Sequence, residues 1–386
     1  MLACASKRSI AGRSSTVLVA RYRPPKVLKN GLEAQDASNP LQQRDVDKNS
    51  LSAFDRTSAK GRQSVMSLTP REAMINALER RAPVGRVPHF ELQFFLTMEA
   101  LGRVHPRCRN FRQWTQMSTH ERSLHRRDVA DLHVAIYRKF GLSGTIYFTP
   151  AAFDEEDRRT SLEHFREMSG QEFFVSMHGD ATYSVPGGKR MMEFVGRIAD
   201  DPDGVKSQAQ KMVDEALVAA ARIKEWGTVD GFCLCSDYCY NDNPFLSPAM
   251  FDDYITPYLV QLVAGYREMG FYTIKHTDGN IMPILDSLMA AKPHALHSLD
   301  PQGGIDLAEL KQRIGDQVCL VGNVNCGLLQ TGTDEEICED VRRALRDGMP
   351  GGGYVFGTSN CIYTGVSLER YEMMLEIWRQ EGNYGQ

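Results

Sequence analysis

The chain has 386 residues, of which 42% are hydrophobic and 24% charged, and its 45 basic and 49 acidic side chains leave a formal net charge of −4. That balance excludes a protein whose main work is to neutralise nucleic-acid phosphates, which takes a basic surface. No run of about 18 apolar residues is present to form a membrane-spanning helix.

Residues 1–65 stand apart in composition. Seven basic residues and no acid precede Glu33, and the stretch from Ala34 to Gln63 is polar with neither helical nor strand period. Such a segment lacks the apolar surface needed to offset ordering, so it is expected to be a disordered extension. Its cationic, acid-poor, Ser-containing start fits a mitochondrial transit peptide; the alternative is an upstream extension with Met66 as the natural start, in a cytoplasmic protein.

From Met66 onward, short apolar runs alternate with amphipathic stretches. The expected strands are Val87–Leu92, Thr145–Phe148, Phe173–Met177, Gly231–Cys235, Tyr272–Lys275, Ala295–Ser298, Val318–Val321 and Tyr354–Gly357. They are continuous rather than alternating, as parallel strands covered on both faces are. Phe173–Met177 also allows a hairpin with its neighbours. Between the strands, Lys211–Trp226 reads as a helix stopped by Gly227, and Ser247-Pro248 opens a long amphipathic helix that Pro257 should kink. Asp306-x-x-Glu309 and Thr333-x-x-Glu336 have the spacing of capping boxes, with Gly315 and Gly348 as stops. Eight strands over about 320 residues, with no Gly-rich phosphate turn after the first, favour a closed (β/α)8 TIM barrel over an open sheet.

A barrel presents its chemistry where strands end and βα loops begin. At those points the chain reads His89-Phe90-Glu91, Cys233-Leu234-Cys235-Ser236-Asp237-Tyr238, His276-Thr277-Asp278-Gly279-Asn280, His297-Ser298-Leu299-Asp300, Gly322-Asn323-Val324-Asn325 and Gly357-Thr358-Ser359-Asn360-Cys361. Gathering ionisable groups at one mouth costs desolvation and serves no structural end. His276 and Asp278, two apart, point to one side of their strand and can share a metal or act as base and orienting partner; a His–Asp bond that ties down a loop is the structural alternative. Asp237 and Glu91 are expected at the mouth, Gly279 is expected to let a ligand approach the backbone, and Cys233 and Cys235 read as core fillers. His89 and His297 are open between core and site. His105, His120, His125, His133 and His164 lie in charged helical sequence and are expected at the surface. The nine cysteines, an odd number, read as free thiols.

Several of these segments form a set. Ser236-Asp237-Tyr238, Phe245-Leu246-Ser247-Pro248, Pro257-Tyr258, His276-Thr277-Asp278-Gly279-Asn280, Gly322-Asn323-Val324-Asn325, Leu329-Gln330-Thr331-Gly332-Thr333 and Gly352-Gly353-Tyr354 occur in this order. Together with Arg71-Glu72-Ala73 and Gly85-Arg86-Val87-Pro88, residues 66–386 resemble the uroporphyrinogen decarboxylase superfamily. The resemblance implies a (β/α)8 barrel as a single domain. It also implies one of two activities: porphyrinogen decarboxylation, or zinc-dependent, corrinoid-linked methyl transfer.

The departures separate the branches. Where the decarboxylases carry an Arg-Gln-Ala-Gly-Arg-Tyr signature, this chain reads Glu91-Leu92-Gln93-Phe94-Phe95, and Asn360 stands near the place of a histidine. The first expectation is therefore a methyl or alkyl transferase with catalytic Asp237, His276 and Asp278, substrate contacts from Glu91, Tyr238, Asn323 and Asn360, and a zinc ion on His276, Asp278 and Cys361. The expected partners are a small-molecule, tetrapyrrole or corrinoid ligand and a corrinoid protein as methyl carrier, with no nucleic acid and no membrane; a homodimer is among the assemblies allowed. A tetrapyrrole decarboxylase or lyase is the second expectation and a non-catalytic corrinoid or tetrapyrrole binder the third.

Overall fold

A computed structural model describes residues 68–385. The extension and the transit-peptide reading lie outside the described residues, and no described helix is long and apolar enough to cross a membrane.

The eight strands are β1 Phe90–Glu91, β2 Gly144–Ile146, β3 Phe174–His178, β4 Gly231–Cys235, β5 Tyr272–Thr277, β6 Ala295–Ser298, β7 Cys319–Val321 and β8 Tyr354–Val355. Each pairs in parallel with the next in sequence. A parallel bridge between His89 and Phe356 joins β8 back to β1, with Phe90 N–H donating to Phe356 O at 2.9 Å. The sheet is thereby closed into the expected (β/α)8 barrel. The third strand is not half of a hairpin: β3 runs parallel between β2 and β4.

Strand parity divides the core in two. Phe90, Ile146, Phe174, Cys233, Ile274, Ala295, Cys319, Val321 and Val355 fill the bore. Met74, Ala77 and Leu78 of helix α1 (Pro70–Leu78) belong to the same cluster, so α1 plugs one end of the barrel. Residues of opposite parity, such as Val175, Phe232, Leu234 and Leu320, pack against the surrounding helices.

The helix signals account for most boundaries. Thr69 and Glu72 form a capping box at α1, and Thr333 and Glu336 form another at Asp334–Gly348. At Leu307–Ile314 only half of the box forms: the Asp306 carboxylate accepts from the Ala308 and Glu309 N–H groups. The helix expected from Lys211 begins at Pro202, because Asp201 caps it by accepting from Gly204 N–H and proline suits the first turn. The expected kink at Pro257 is a full break: Pro248–Tyr254 and Thr256–Glu268 meet at Ile255, so Pro257 falls in a first turn where its missing N–H costs nothing. His105 and His133 are not at the surface. Both are buried, and burial holds their imidazoles neutral, at about 3 and about 4 respectively.

Outside the bore, Lys275 and Asp180 form an ion pair of 2.8 Å with both side chains 1% exposed. Lys275 Nζ also donates to Ser236 O at 2.9 Å and lies 3.9 Å from the Tyr238 ring centre. Asp180 accepts from Ser236 N–H and from Thr182. Burial alone would raise the Asp180 carboxyl; Lys275 and Thr182 outweigh it and hold it below its ordinary range. The pair fastens the loop after β3 to the ends of β4 and β5, where the site forms. Lys275→Met leaves Asp180 charged and buried without its cation, and should cost about 3–5 kcal/mol in chemical denaturation. The double change with Asp180→Asn should recover much of that loss.

Candidate active site

The C-terminal ends of β4 and β5 bring three of the expected groups together. One ligand atom each from Asp237, His276 and Asp278 lies within 4.8 Å of the others. His276 Nε2 is 3.6 Å from Asp237 Oδ1 and 3.7 Å from Asp278 Oδ1. His276 shares parity with bore-facing Ile274, which is why it points inward. Its other nitrogen, Nδ1, is 2.8 Å from Nδ1 of His297, its register partner on β6.

Asp278 is held from two sides. Ser298 Oγ donates to its Oδ1 at 2.7 Å, and the Asn360 amide donates to its Oδ2. Ser298 and Leu299 both have positive φ, at 82° and 49°, an uncommon pair for non-glycine residues that costs backbone strain. Asn323 stabilises this turn: its amide donates to Leu299 O at 2.7 Å while Arg343 donates to its Oδ1 at 3.0 Å. The strain is thus tied to the placement of the Ser298 hydroxyl against Asp278.

Gly279 has φ of 79°, and a Cβ there would collide with the carbonyl of Tyr240. The expectation that this glycine makes room for a ligand is corrected: it makes room for the β4 loop of the protein itself.

The remaining expected residues fall elsewhere. Glu91 is fully buried and faces away from the bore, because Phe90 takes the inward position. Its carboxylate is 3.1 Å from His89 Nε2 and accepts from the Thr358 hydroxyl at 2.5 Å. Tyr238 is fully buried, its hydroxyl 2.6 Å from that of Thr182. Asn323 is buried and spends its amide on the backbone. Cys361 lies outside the three-atom cluster, and burial, with Cys326 and Asp278 nearby, pushes its thiol up to about 12. The ligand atoms that converge are thus those of Asp237, His276 and Asp278, and the Cys361 thiol is not among them. Of the open histidines, His89 belongs to the helix-facing core, tilted against Trp378 at 5.1 Å between ring centres, whereas His297 lies behind His276.

Three residues at the mouth were not expected. Ser298 lies in the strand-end segment His297-Ser298-Leu299-Asp300 without a role expected of it. His178 ends β3 on the bore side, and the sequence His178-Gly179-Asp180 was its signal. Arg107, from the loop after β1, is exposed with its guanidinium 5.4 Å from the Phe148 ring centre and bonded to Gln93 Oε1 at 3.1 Å. The distance in sequence between Arg107 and β1 hid it.

Electrostatically the cluster is poised. Burial lowers His276 to about 4, against the pull of Asp237, so its ring is neutral. Burial first, then the charges of Asp237 and Asp300, raise Asp278 to about 7; the bonds from Ser298 and Asn360 work in the opposite direction.

The family model described as "Uroporphyrinogen decarboxylase (URO-D)" matches residues 180–381, just over half of the chain, and the chain belongs to that family. Uroporphyrinogen decarboxylase of Thioalkalivibrio sulfidiphilus is 24% identical over 240 residues, covering 56% of this chain and 62% of the relative. That of Pseudoalteromonas translucida is 25% identical over 233 residues, covering 53% and 58%. The chain thus spans about three fifths of these curated relatives. A solved methyltransferase from Methanosarcina mazei superposes with a TM-score of 0.63 at 17% identity, covering 81% of this chain and 99% of that one, and shares the fold.

The raised Asp278 carries a sign. The folded carboxyl keeps its proton up to about 7, the unfolded one loses it near 3.8, so the folded state holds more protons between these values. The associated stability is present below the lower value and lost as pH rises through the upper. Asp278→Asn removes that loss. Relative to wild type, the variant should gain about 2 kcal/mol between pH 4 and pH 8, allowing for screening of a side chain that is 30% exposed. Paired urea titrations at the two pH values check this.

Proposed function

We propose that this member of the URO-D family is a proton-transferring lyase that removes a carboxylate from a small anionic substrate at the barrel mouth. The observation that carries the reading is the placement of Asp278, a largely buried carboxyl held by Ser298 and Asn360 and 3.7 Å from His276 Nε2 at the open end of the bore, where burial pushes it up to about 7. A general acid works best when its pKa lies close to the working pH. The decarboxylase names of the sequence relatives agree with it.

Each residue has a task in this reading. Cleavage of the carbon–carboxylate bond releases carbon dioxide and leaves the electron pair on carbon, which takes a proton from the Asp278 carboxyl; solvent then reprotonates Asp278. Asp237, with its side chain 48% exposed, lies 3.6 Å from His276 Nε2 and helps to orient the imidazole toward the substrate. His276 offers Nε2 to the reacting group. Arg107 takes a second carboxylate of the substrate with the N–H groups that Gln93 does not use. The Arg107 guanidinium matches one carboxylate of a small acid, whereas an octacarboxylate tetrapyrrole would call on several such cations.

Carbon dioxide release is measured on a panel of small di- and tricarboxylic acids, with uroporphyrinogen included. On the acid that turns over, Asp278→Asn should lower kcat by about 100-fold or more with little change in KM. Arg107→Gln should raise KM about tenfold. Full turnover by Asp278→Asn overturns the assignment.

The three-atom cluster favours a second reading, cation-assisted methyl or alkyl transfer. One imidazole nitrogen and two carboxylate oxygens are accepted zinc donors and match the three-ligand pattern of catalytic sites. Asp237, His276 and Asp278 would hold the ion, which when bound polarises the leaving atom of a methyl donor. The methyl carrier would then be a corrinoid on a partner protein. Zinc titration of chelator-treated protein should give one equivalent bound at micromolar affinity or better, weakened at least 100-fold in His276→Ala. Absence of binding removes this second reading.

A further inference from the structure

His297 has no part in the chemistry above, yet it lies nearer the His276 ring nitrogens than either carboxylate does. Their Nδ1 atoms are 2.8 Å apart, and both rings are buried, at 4% and 2% exposed. Two nitrogens at that distance share one proton: one ring donates N–H and the other accepts. With both rings neutral, only two arrangements exist. In the first, His297 carries its proton on Nδ1 and donates, so His276 carries its own on Nε2. In the second, His276 donates from Nδ1 and its Nε2 is a bare lone pair, while His297 carries a proton on Nε2.

The far end of each ring decides between them. His276 Nε2 faces Asp237 Oδ1 and Asp278 Oδ1 at 3.6 and 3.7 Å; the Asp278 Oδ1 already accepts from Ser298, which leaves the Asp278 proton to Oδ2, so an N–H at Nε2 meets acceptors and a bare lone pair does not. Among the described residues His297 Nε2 is buried without a hydrogen-bond partner, and the ring lies against Phe90 at 5.8 Å between centres and 73° between planes. A proton placed there becomes a buried donor with nothing to accept it, a rarer and costlier state than an unsatisfied acceptor. Both ends select the first arrangement.

We propose that His297 is a positioning residue that holds His276 in its Nε2–H tautomer, so that the imidazole presents a hydrogen-bond donor, not a lone pair, to the barrel mouth. The role deepens the lyase reading, because a donor at Nε2 can bind a substrate carboxylate. It also sets a barrier to the cation reading: an ion on His276 Nε2 needs the lone pair there. Both rings must then exchange tautomers, leaving an orphaned N–H on His297.

The test is two-bond 15N–1H correlation spectroscopy on metal-free protein labelled in its histidine rings. The chain has ten histidines, and the two signals are assigned by their disappearance in His276→Gln and His297→Phe. The expected pattern is Nε2–H for His276 and Nδ1–H for His297. In His297→Phe, which keeps an aromatic ring in the bore, the His276 Nδ1 resonance should move to that of a lone pair without a hydrogen bond. A His297 proton on Nε2, or a His276 Nδ1 resonance unmoved by His297→Phe, overturns the proposal. Neither outcome depends on turnover or on zinc, so failure of the lyase reading in the carbon dioxide assay is seen separately.

Discussion

In a closed parallel barrel each strand sends alternate side chains into the bore and out to the helices, and no strand can slip by one residue without reversing every one of them. The rest of this structure depends on that constraint. It turns Ile274 and His276 inward and Lys275 outward, so that three consecutive residues serve the core, the outer layer and the site. Lys275 meets Asp180 between sheet and helices, and that buried pair ties the β3 loop to the ends of β4 and β5. Had the register differed by one, the lysine would stand in the mouth and the imidazole among the helices.

The same parity sorts the candidate residues. Asp237, His276 and Asp278 converge because they lie at the ends of neighbouring strands with inward parity or one step beyond. Glu91 follows inward Phe90, so it is turned outward and pairs with His89. Cys361 comes from the loop after β8 and stays outside the cluster. The groups that remain at the mouth are hard, oxygen-rich and crowded. Burial, and then crowding by like charges, raise Asp278, and burial keeps His276 neutral. A proton donor and a cation site are two ways to relieve the same accumulation of negative charge.

Support for the site lies one layer deeper. Ser298 and Leu299 adopt positive φ so that a hydroxyl can reach Asp278, and Asn323, gripped by Arg343, holds the turn. His297 stands behind His276 in the bore. Such second-layer groups locate and orient the reacting atoms without touching substrate, and they make a cluster of ordinary residues specific in its chemistry.

Much of this was legible in the order of residues. Eight continuous apolar runs spaced by helices dictate a parallel sheet. Proline and capping residues mark most helix starts, and the polar strand ends place the mouth. Those signals are local, since periodicity and backbone hydrogen bonding act over a few residues. Which polar residue faces the mouth was not legible where strands were short: β1 has two residues, too few to show its parity. Arg107 was invisible because its approach to Gln93 and Phe148 depends on a loop path. The partnership of His276 with His297 was equally hidden, because register between strands is set by closure of the whole barrel. The sequence by itself determined the elements, their order and the chemistry available; only the tertiary structure decided which of those groups meet, because distance and burial are properties of the closed sheet.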